Sequence, residues 1–238
     1  MKIKAVLFDL DGTLLPMDQD IFIKAYFGGL ASKLAPLGYD PRALIDAIWQ
    51  GTMAMIANDG KISNETVFWN VFCRLFDLPA RKDEAVFEDF YKNEFQQVRK
   101  VCGYDARAAK IVHRLRDAGV TVALATNPIF PAIATESRMR WAGLSPDDFA
   151  LYTTYENIGF CKPNLAYYTE IARRLGVTPE ECLMVGNDVD DDMAASALGM
   201  KVFLLTDCLI NKKNADISAF PNGGFEELSH YLDRLVTH

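Results

Sequence analysis

The 238-residue sequence lacks the spacings that staple small folds or hold zinc. Its five cysteines, Cys73, Cys102, Cys161, Cys182 and Cys208, are scattered, odd in number and never form a C-x-x-C pair. A disulfide framework or zinc site is therefore not expected, and a reducing, cytoplasmic setting is. No apolar run approaches the ~20 residues that span a bilayer. No basic segment followed by an apolar stretch opens the chain, because Met1-Lys2-Ile3-Lys4 leads straight into a short strand-like run. Basic charge is in deficit: 25 Lys and Arg stand against 32 Asp and Glu, a formal net charge of −7. That balance argues against nucleic-acid and membrane-surface partners, both of which favour basic faces. Neither a GxxxxGK[ST] loop nor a strand-linked GxGxxG is present, so the common nucleotide folds lose their phosphate cradles. Repeats and low-complexity segments are missing. The three histidines, His113, His230 and His238, adjoin no motif and are read as structural or solvated. Asn64-Glu65-Thr66 spells a glycosylation sequon, but without a secretory signal it is read as the first turn of a helix.

What is present suits an ordinary globular chain, half hydrophobic and long enough for one generous domain or two modest ones. Short apolar runs recur at Ile3–Phe8, Val120–Ala125, Cys182–Val185 and Lys201–Leu205. Runs of this length without strict alternation read as strands buried on both faces, as in a parallel sheet. Between them, periodic helical stretches stop at Gly119, Gly143, Gly176 and Gly199, each followed by an apolar residue, which is a helix C-cap signature. Thr178-Pro179-Glu180-Glu181 has capping-box spacing. The alternation predicts an α/β fold with a doubly wound, mostly parallel, Rossmann-like sheet.

From about Asp18 to Val101 the pattern changes. Aromatic and aliphatic residues recur at helical spacing, as at Phe22, Tyr26 and Phe27, and at Phe87, Phe90 and Tyr91, with N-caps expected at Asp40 and Ser63. This predicts a helical domain over residues 17–102, inserted into an α/β core formed by 1–16 and 103–238. Its aromatic stripe is read as core.

Chemistry gathers where strands end. Asp9-Leu10-Asp11-Gly12-Thr13 follows the first run, and carboxylates two residues apart there point the same way. Ligands of α/β sheets sit beyond the carboxyl ends of strands. Gly12 permits a tight turn close to a ligand, and Thr13 adds a hydroxyl. The second run ends at Thr126-Asn127, a hydroxyl and an amide. Lys162 precedes a helix, where a cation can meet phosphate. The third run ends in Gly186-Asn187-Asp188-Val189-Asp190-Asp191-Asp192. Four acids crowded after a buried strand call for a hard cation with oxygen ligands.

These four segments, in this order, resemble the motifs of the haloacid dehalogenase-like hydrolase superfamily, in its phosphatase type with a helical cap. The resemblance covers essentially the whole chain. It implies that Asp9 is the nucleophile, forming an aspartyl-phosphate. Asp11 is implied as general acid, then base, in surroundings that disfavour its charge relative to Asp9. It also implies that Thr126, Asn127 and Lys162 stabilise phosphoryl oxygens, with Gly12 and Thr13 beside the phosphate. Mg2+ is implied as cofactor, held by the Asp9 carboxylate, the Asp11 carbonyl and an acid of the last segment. This sequence departs from the family there, with Asn187 where the metal-binding aspartate usually follows glycine. Asp188 is preferred as ligand, Asn187 is the alternative, Asp192 is expected one shell out, and Asp190 and Asp191 are expected to be solvated.

The expected substrate is a small phosphorylated metabolite and the expected state a monomer or homodimer. Phosphoryl transfer to another hydroxyl, as in sugar-phosphate mutases, would use the same Asp9 and Asp11. A non-catalytic phospho-acceptor, as in response-regulator receivers, also combines acids, a Thr and a Lys on such a sheet, but without an acid pair at one strand end. Dehalogenation is disfavoured, because the family's dehalogenases lack the acid at the Asp11 position. Lys24, Lys61 and Arg74 are the insertion's candidates for meeting a second anionic group.

Overall fold

A computed structural model describes residues 2–79 and 81–236; His238 lies outside them. The chain begins with β1 (Ala5–Phe8) and then runs through α1 (Gln19–Leu34), α2 (Pro41–Ile56), α3 (Asn64–Leu75) and α4 (Glu84–Lys92). A 3-10 segment (Glu94–Val101) follows, then α5 (Ala106–Asp117), β2 (Thr121–Leu124), α6 (Ala132–Trp141) and β3 (Leu151–Tyr152). Next come α7 (Leu165–Leu175), β4 (Cys182–Gly186), β5 (Lys201–Leu205), β6 (Asn222–Gly223) and α8 (Phe225–Val236). The sheet order is β3-β2-β1-β4-β5-β6 and every neighbouring pair is parallel. The order turns back at β1, so the carboxyl ends of β1, β2 and β4 share one edge at the topological switch point.

Sheet residues alternate between two buried layers. Val6 and Phe8 pack into one cluster, while Ala5 and Leu7 pack into the other with Tyr167, Tyr168 and Met184. The first cluster runs without a break into the helical segment, so that Phe22, Leu30, Phe72 and Phe95 share a core with Leu124 and Val185. The chain enters and leaves that segment at adjacent points. Met17 bridges antiparallel to Cys102, and the Gly103 N–H donates to the Pro16 carbonyl at 2.7 Å.

Local signals act as expected. Asp40 caps α2 by accepting from the Arg42 and Ala43 N–H groups, and Ser63 caps α3 through the Thr66 N–H. Thr178 and Glu181 form the capping box. Gly119, Gly143, Gly176 and Gly199 all take the left-handed conformation, with φ between 69° and 81°. β3 and β6 are two-residue edge strands that carry no run of their own.

The sequon asparagine is structural. Asn64 is fully buried, donating to the Pro128 carbonyl (3.1 Å) and the Cys161 Sγ (3.3 Å) and accepting from Asn58 (2.9 Å). These bonds fasten the start of α3 to the loops that follow β2 and precede α7.

Candidate active site

Backbone pairing brings the motif segments together. The Asp9 N–H donates to the Val185 carbonyl at 2.9 Å, and the Ala125 N–H donates to the Phe8 carbonyl at 2.7 Å. The three strand ends are thereby level. Lys162 is buried between two of them, its Nζ 2.8 Å from Asp9 Oδ1 and 2.6 Å from Asp192 Oδ1. Asp192 Oδ2 accepts from the Asp188 N–H at 3.0 Å, so both of its oxygens are engaged. Gly186 makes room for it, since a Cβ there would lie 2.0 Å from Asp192 Oδ2.

Gly12 and Thr13 serve Asn187. Gly12 has φ +84°, and a Cβ on it would meet the Asn187 Nδ2 at 2.2 Å. The Thr13 hydroxyl donates to Asn187 Oδ1 at 2.9 Å, and Asn187 Nδ2 donates to the Cys208 carbonyl at 2.7 Å. The Gly12 and Thr13 N–H groups are used within their own turn, by the Leu15 and Leu10 carbonyls. The structure therefore sets these two residues behind Asn187 and not on the cavity surface. Asp188 turns its Oδ1 back to the Asp190 and Asp191 N–H groups, at 2.8 and 2.9 Å. Asn127 Oδ1 accepts from the Lys162 N–H and its Nδ2 donates to Asp191, both at 3.3 Å.

A cavity of about 300 Å3 opens over this edge. Asp9, Asp11, Thr126, Asn127, Lys162, Asn187, Asp188, Asp191 and Asp192 border it at one end. Aromatic side chains of the helical segment border it at the other; Tyr26 and Tyr91, core residues by sequence pattern, are also wall, as is Trp69. Asp190 is exposed and pairs with Lys213 at 3.0 Å, whereas Asp191 is drawn into the site and is not simply solvated.

The electrostatics differ from expectation at the first acid pair. Burial pushes the Asp9 carboxyl up; Lys162 opposes this, while Asp192 and Asp11 add to it, leaving it at about 7. Asp11 faces a cation instead of an apolar wall: its Oδ2 is paired with the fully buried Arg138 guanidinium of α6. No motif marks Arg138, and the pairing spans 127 residues, so nothing in the sequence signals this cationic partner. That guanidinium also lies 4.4 Å from the centre of the Phe130 ring. Asp11 Oδ1 is buried without a hydrogen-bond partner among the described residues. Burial opposes the Lys162 charge, but Asp192 and Asp9 outweigh it and hold its pKa well above the ordinary value. Burial and Asp188 push Asp191 up to about 6, and burial raises Asp188 as well.

The donor set fits a hard divalent cation. Asp9, Asp188 and Asp191 are desolvated carboxylates without full compensation, and no His or Cys lines the cavity among the described residues. No group of three His, Cys, Asp or Glu side chains forms a ready-made cage among the described residues. An ion here would thus rely on one or two carboxylates, main-chain oxygen, water and substrate, as magnesium does.

An aspartate salt-linked to a buried lysine, with a second carboxylate two residues on and an acidic loop opposite, thus stands at the carboxyl edge of a parallel α/β sheet. The chain belongs to the haloacid dehalogenase-like hydrolase family, whose model matches residues 3–199. It is 27% identical over 201 residues to the phosphoglycolate phosphatase of Xylella fastidiosa, covering 83% of this chain and 77% of that one. It is 28% identical over 121 residues to the Bacillus subtilis protein YhcW, covering 51% and 49%; in this match the chain spans about half the length of that relative. A haloacid dehalogenase-family phosphatase structure from Thermococcus onnurineus shares the fold with a TM-score of 0.60, at 23% identity over 97% of this chain and 98% of the other.

Proposed function

We propose that this chain hydrolyses the phosphate monoester of a small metabolite through an aspartyl-phosphate on Asp9. The observation that carries the reading is the Lys162 Nζ held 2.8 Å from Asp9 Oδ1, with Asp11 and the Asp188–Asp192 loop on the same cavity. An Asp9 oxygen attacks phosphorus and the bond to the ester oxygen breaks. Asp11 supplies the proton that the departing alkoxide takes up, then receives one from the water that cleaves the acyl-phosphate. The products are the free alcohol and inorganic phosphate, and Asp9 and Asp11 return to their starting states. Lys162 offsets charge on Asp9 and the phosphoryl oxygens, with Thr126 and Asn127 placed to donate hydrogen bonds. Asp192 acts through Lys162, which it orients. Gly12 and Thr13 hold Asn187 in place.

Mg2+ would be held by the Asp9 carboxylate, the Asp11 carbonyl and Asp188, and would neutralise phosphate charge. Asp188 is preferred over Asn187 because the Asn187 amide is already bonded on both sides. The helical segment 17–102 is proposed as the cap that covers the cavity, with 1–16 and 103–238 as the catalytic core. A cytoplasmic setting belongs to the same reading and is supported by five free thiols.

The test is phosphate release from a panel of monoesters, with Mg2+ or EDTA, by the wild type and Asp9→Asn. Expected is metal-dependent release that falls on the order of a thousandfold in the variant. Undiminished release by Asp9→Asn, with deamidation excluded, overturns the nucleophile assignment. Product analysis in the presence of an alcohol separates hydrolysis from phosphoryl transfer.

A further inference from the structure

The cavity is strongly divided. Its acids and lysines, Asp9, Asp11, Asp188, Asp191, Asp192, Lys162 and Lys212, all come from the α/β side. Every lining residue from the helical segment is uncharged. That wall is dominated by rings, among them Phe27, Trp49, Phe68, Trp69, Phe87 and Tyr91. Its polar atoms are few, and the Tyr26 and Tyr91 hydroxyls bond to each other at 2.9 Å. The insertion's candidate cations are elsewhere. Lys24, Lys61 and Arg74 do not line the cavity; Lys61 pairs with Asp59 at 2.6 Å. Arg81 is likewise spent on Glu65 and Glu84.

Resting on the phosphatase reading, we infer that the substrate is the monophosphate of an uncharged, ring-bearing alcohol or phenol, and not a short phospho-acid or bisphosphate. The phosphoryl group at Asp9 fixes one end of the substrate, so whatever is esterified to it must project into the aromatic end. A carboxylate or second phosphate there loses its hydration and finds no cation on that wall, the lining lysines, Lys162 and Lys212, both belonging to the α/β side. An apolar ring sheds water from its faces and gains edge and face contacts with the wall. Trp49 is 43% exposed and Ile56 36% exposed, so the apolar lining continues to the rim. Phosphoglycolate, with a carboxylate one carbon from its ester oxygen, is the wrong shape of charge for this chamber.

The experiment compares kcat/KM for 1-naphthyl phosphate, glycerol 3-phosphate and 2-phosphoglycolate in Mg2+. The expected result is a preference of at least tenfold for the naphthyl ester over either of the others. Phe27→Ala, which trims the wall, and Ile56→Lys, which places a cation at its rim, should each lower the naphthyl-to-phosphoglycolate ratio at least tenfold. Asp9-dependent turnover in which phosphoglycolate equals or exceeds the naphthyl ester overturns this inference and leaves the hydrolase standing. Absence of Asp9-dependent release from every ester overturns the hydrolase reading, and binding then judges the chamber alone. Trp49 and Trp69 report on it by fluorescence. Quenching by 1-naphthylmethylphosphonate at a Kd at least tenfold below that of phosphonoacetate supports the inference, and equal or weaker binding sinks it.

Discussion

Arg138 is the most consequential residue outside the motifs. It is buried in α6, it pairs with Asp11, and it stacks against Phe130. Replacement by Met keeps much of the side-chain volume but leaves the Asp11 carboxylate without its partner. Breaking a buried pair in this way costs roughly 3–5 kcal/mol, and Arg138→Met is expected to lose about that in chemical denaturation. Turnover should fall at least tenfold, because Asp11 is no longer held. In a double-mutant cycle with Asp11→Asn the two losses should be strongly non-additive; additive losses would show that the pair is not an energetic unit. Asp9, Asp11 and Asp188 were legible in the chain because each follows the end of an apolar run, and Lys162 because it stands just before a helix. Arg138 was not, since a lone arginine in a helix with mixed polarity reads as solvated until the fold carries Asp11 to it. The same holds for Asp191, which Asn127, Asp188 and Tyr168 hold at the site.

At the level of elements, the α2–α3 loop lies backbone to backbone against the loop that carries Lys162. A Cβ on Gly159 would stand 2.5 Å from the Ile62 carbonyl and 2.8 Å from the Gly60 Cα. Gly159→Ala must therefore push the loops apart, and it is expected to lower Tm by several degrees, a loss of about 1–3 kcal/mol, and to reduce kcat/KM. Gly28 is the contrast, being exposed in α1 with nothing within 4 Å of an added Cβ. Gly28→Ala should stabilise the protein by about 0.5–1 kcal/mol, measured by the same denaturation. Asn64→Ala removes three buried hydrogen bonds at this junction and is expected to cost about 1–3 kcal/mol. Helix ends were legible because capping is local chemistry. The edge strands β3 and β6 were not, because two residues paired across a sheet leave no periodic trace.

For the molecule as a whole, the acidic edge couples stability to pH and metal. The folded Asp9 carboxyl sits at about 7, against 3.8 ordinarily. Between those values the folded chain keeps a proton that the unfolded chain has released. Metal-free stability should then fall as pH rises from about 4 to about 7, and Asp188 and Asp191 act in the same direction. Mg2+ bound to the ionised carboxylates should reverse this, so the Tm gain on adding Mg2+ is expected to grow from pH 5 to pH 8. A gain that is absent, or that does not change with pH, would count against a metal held by these acids. The overall plan, a parallel sheet interrupted once by helices, was readable from the change of period alone. That the insertion's aromatics form a chamber as well as a core was not, because periodicity says which face is apolar but not what it encloses. Entry and exit of the insertion are stitched side by side, Met17 to Cys102 and Pro16 to Gly103. Two adjacent seams make this segment an exchangeable cassette. A graft from a relative would have to reproduce that short antiparallel join, the Phe22 and Phe95 footprint beneath it, and the Asn64 and Gly60 contacts with the loops after β2 and before α7, after which the recipient sheet should process the donor's esters.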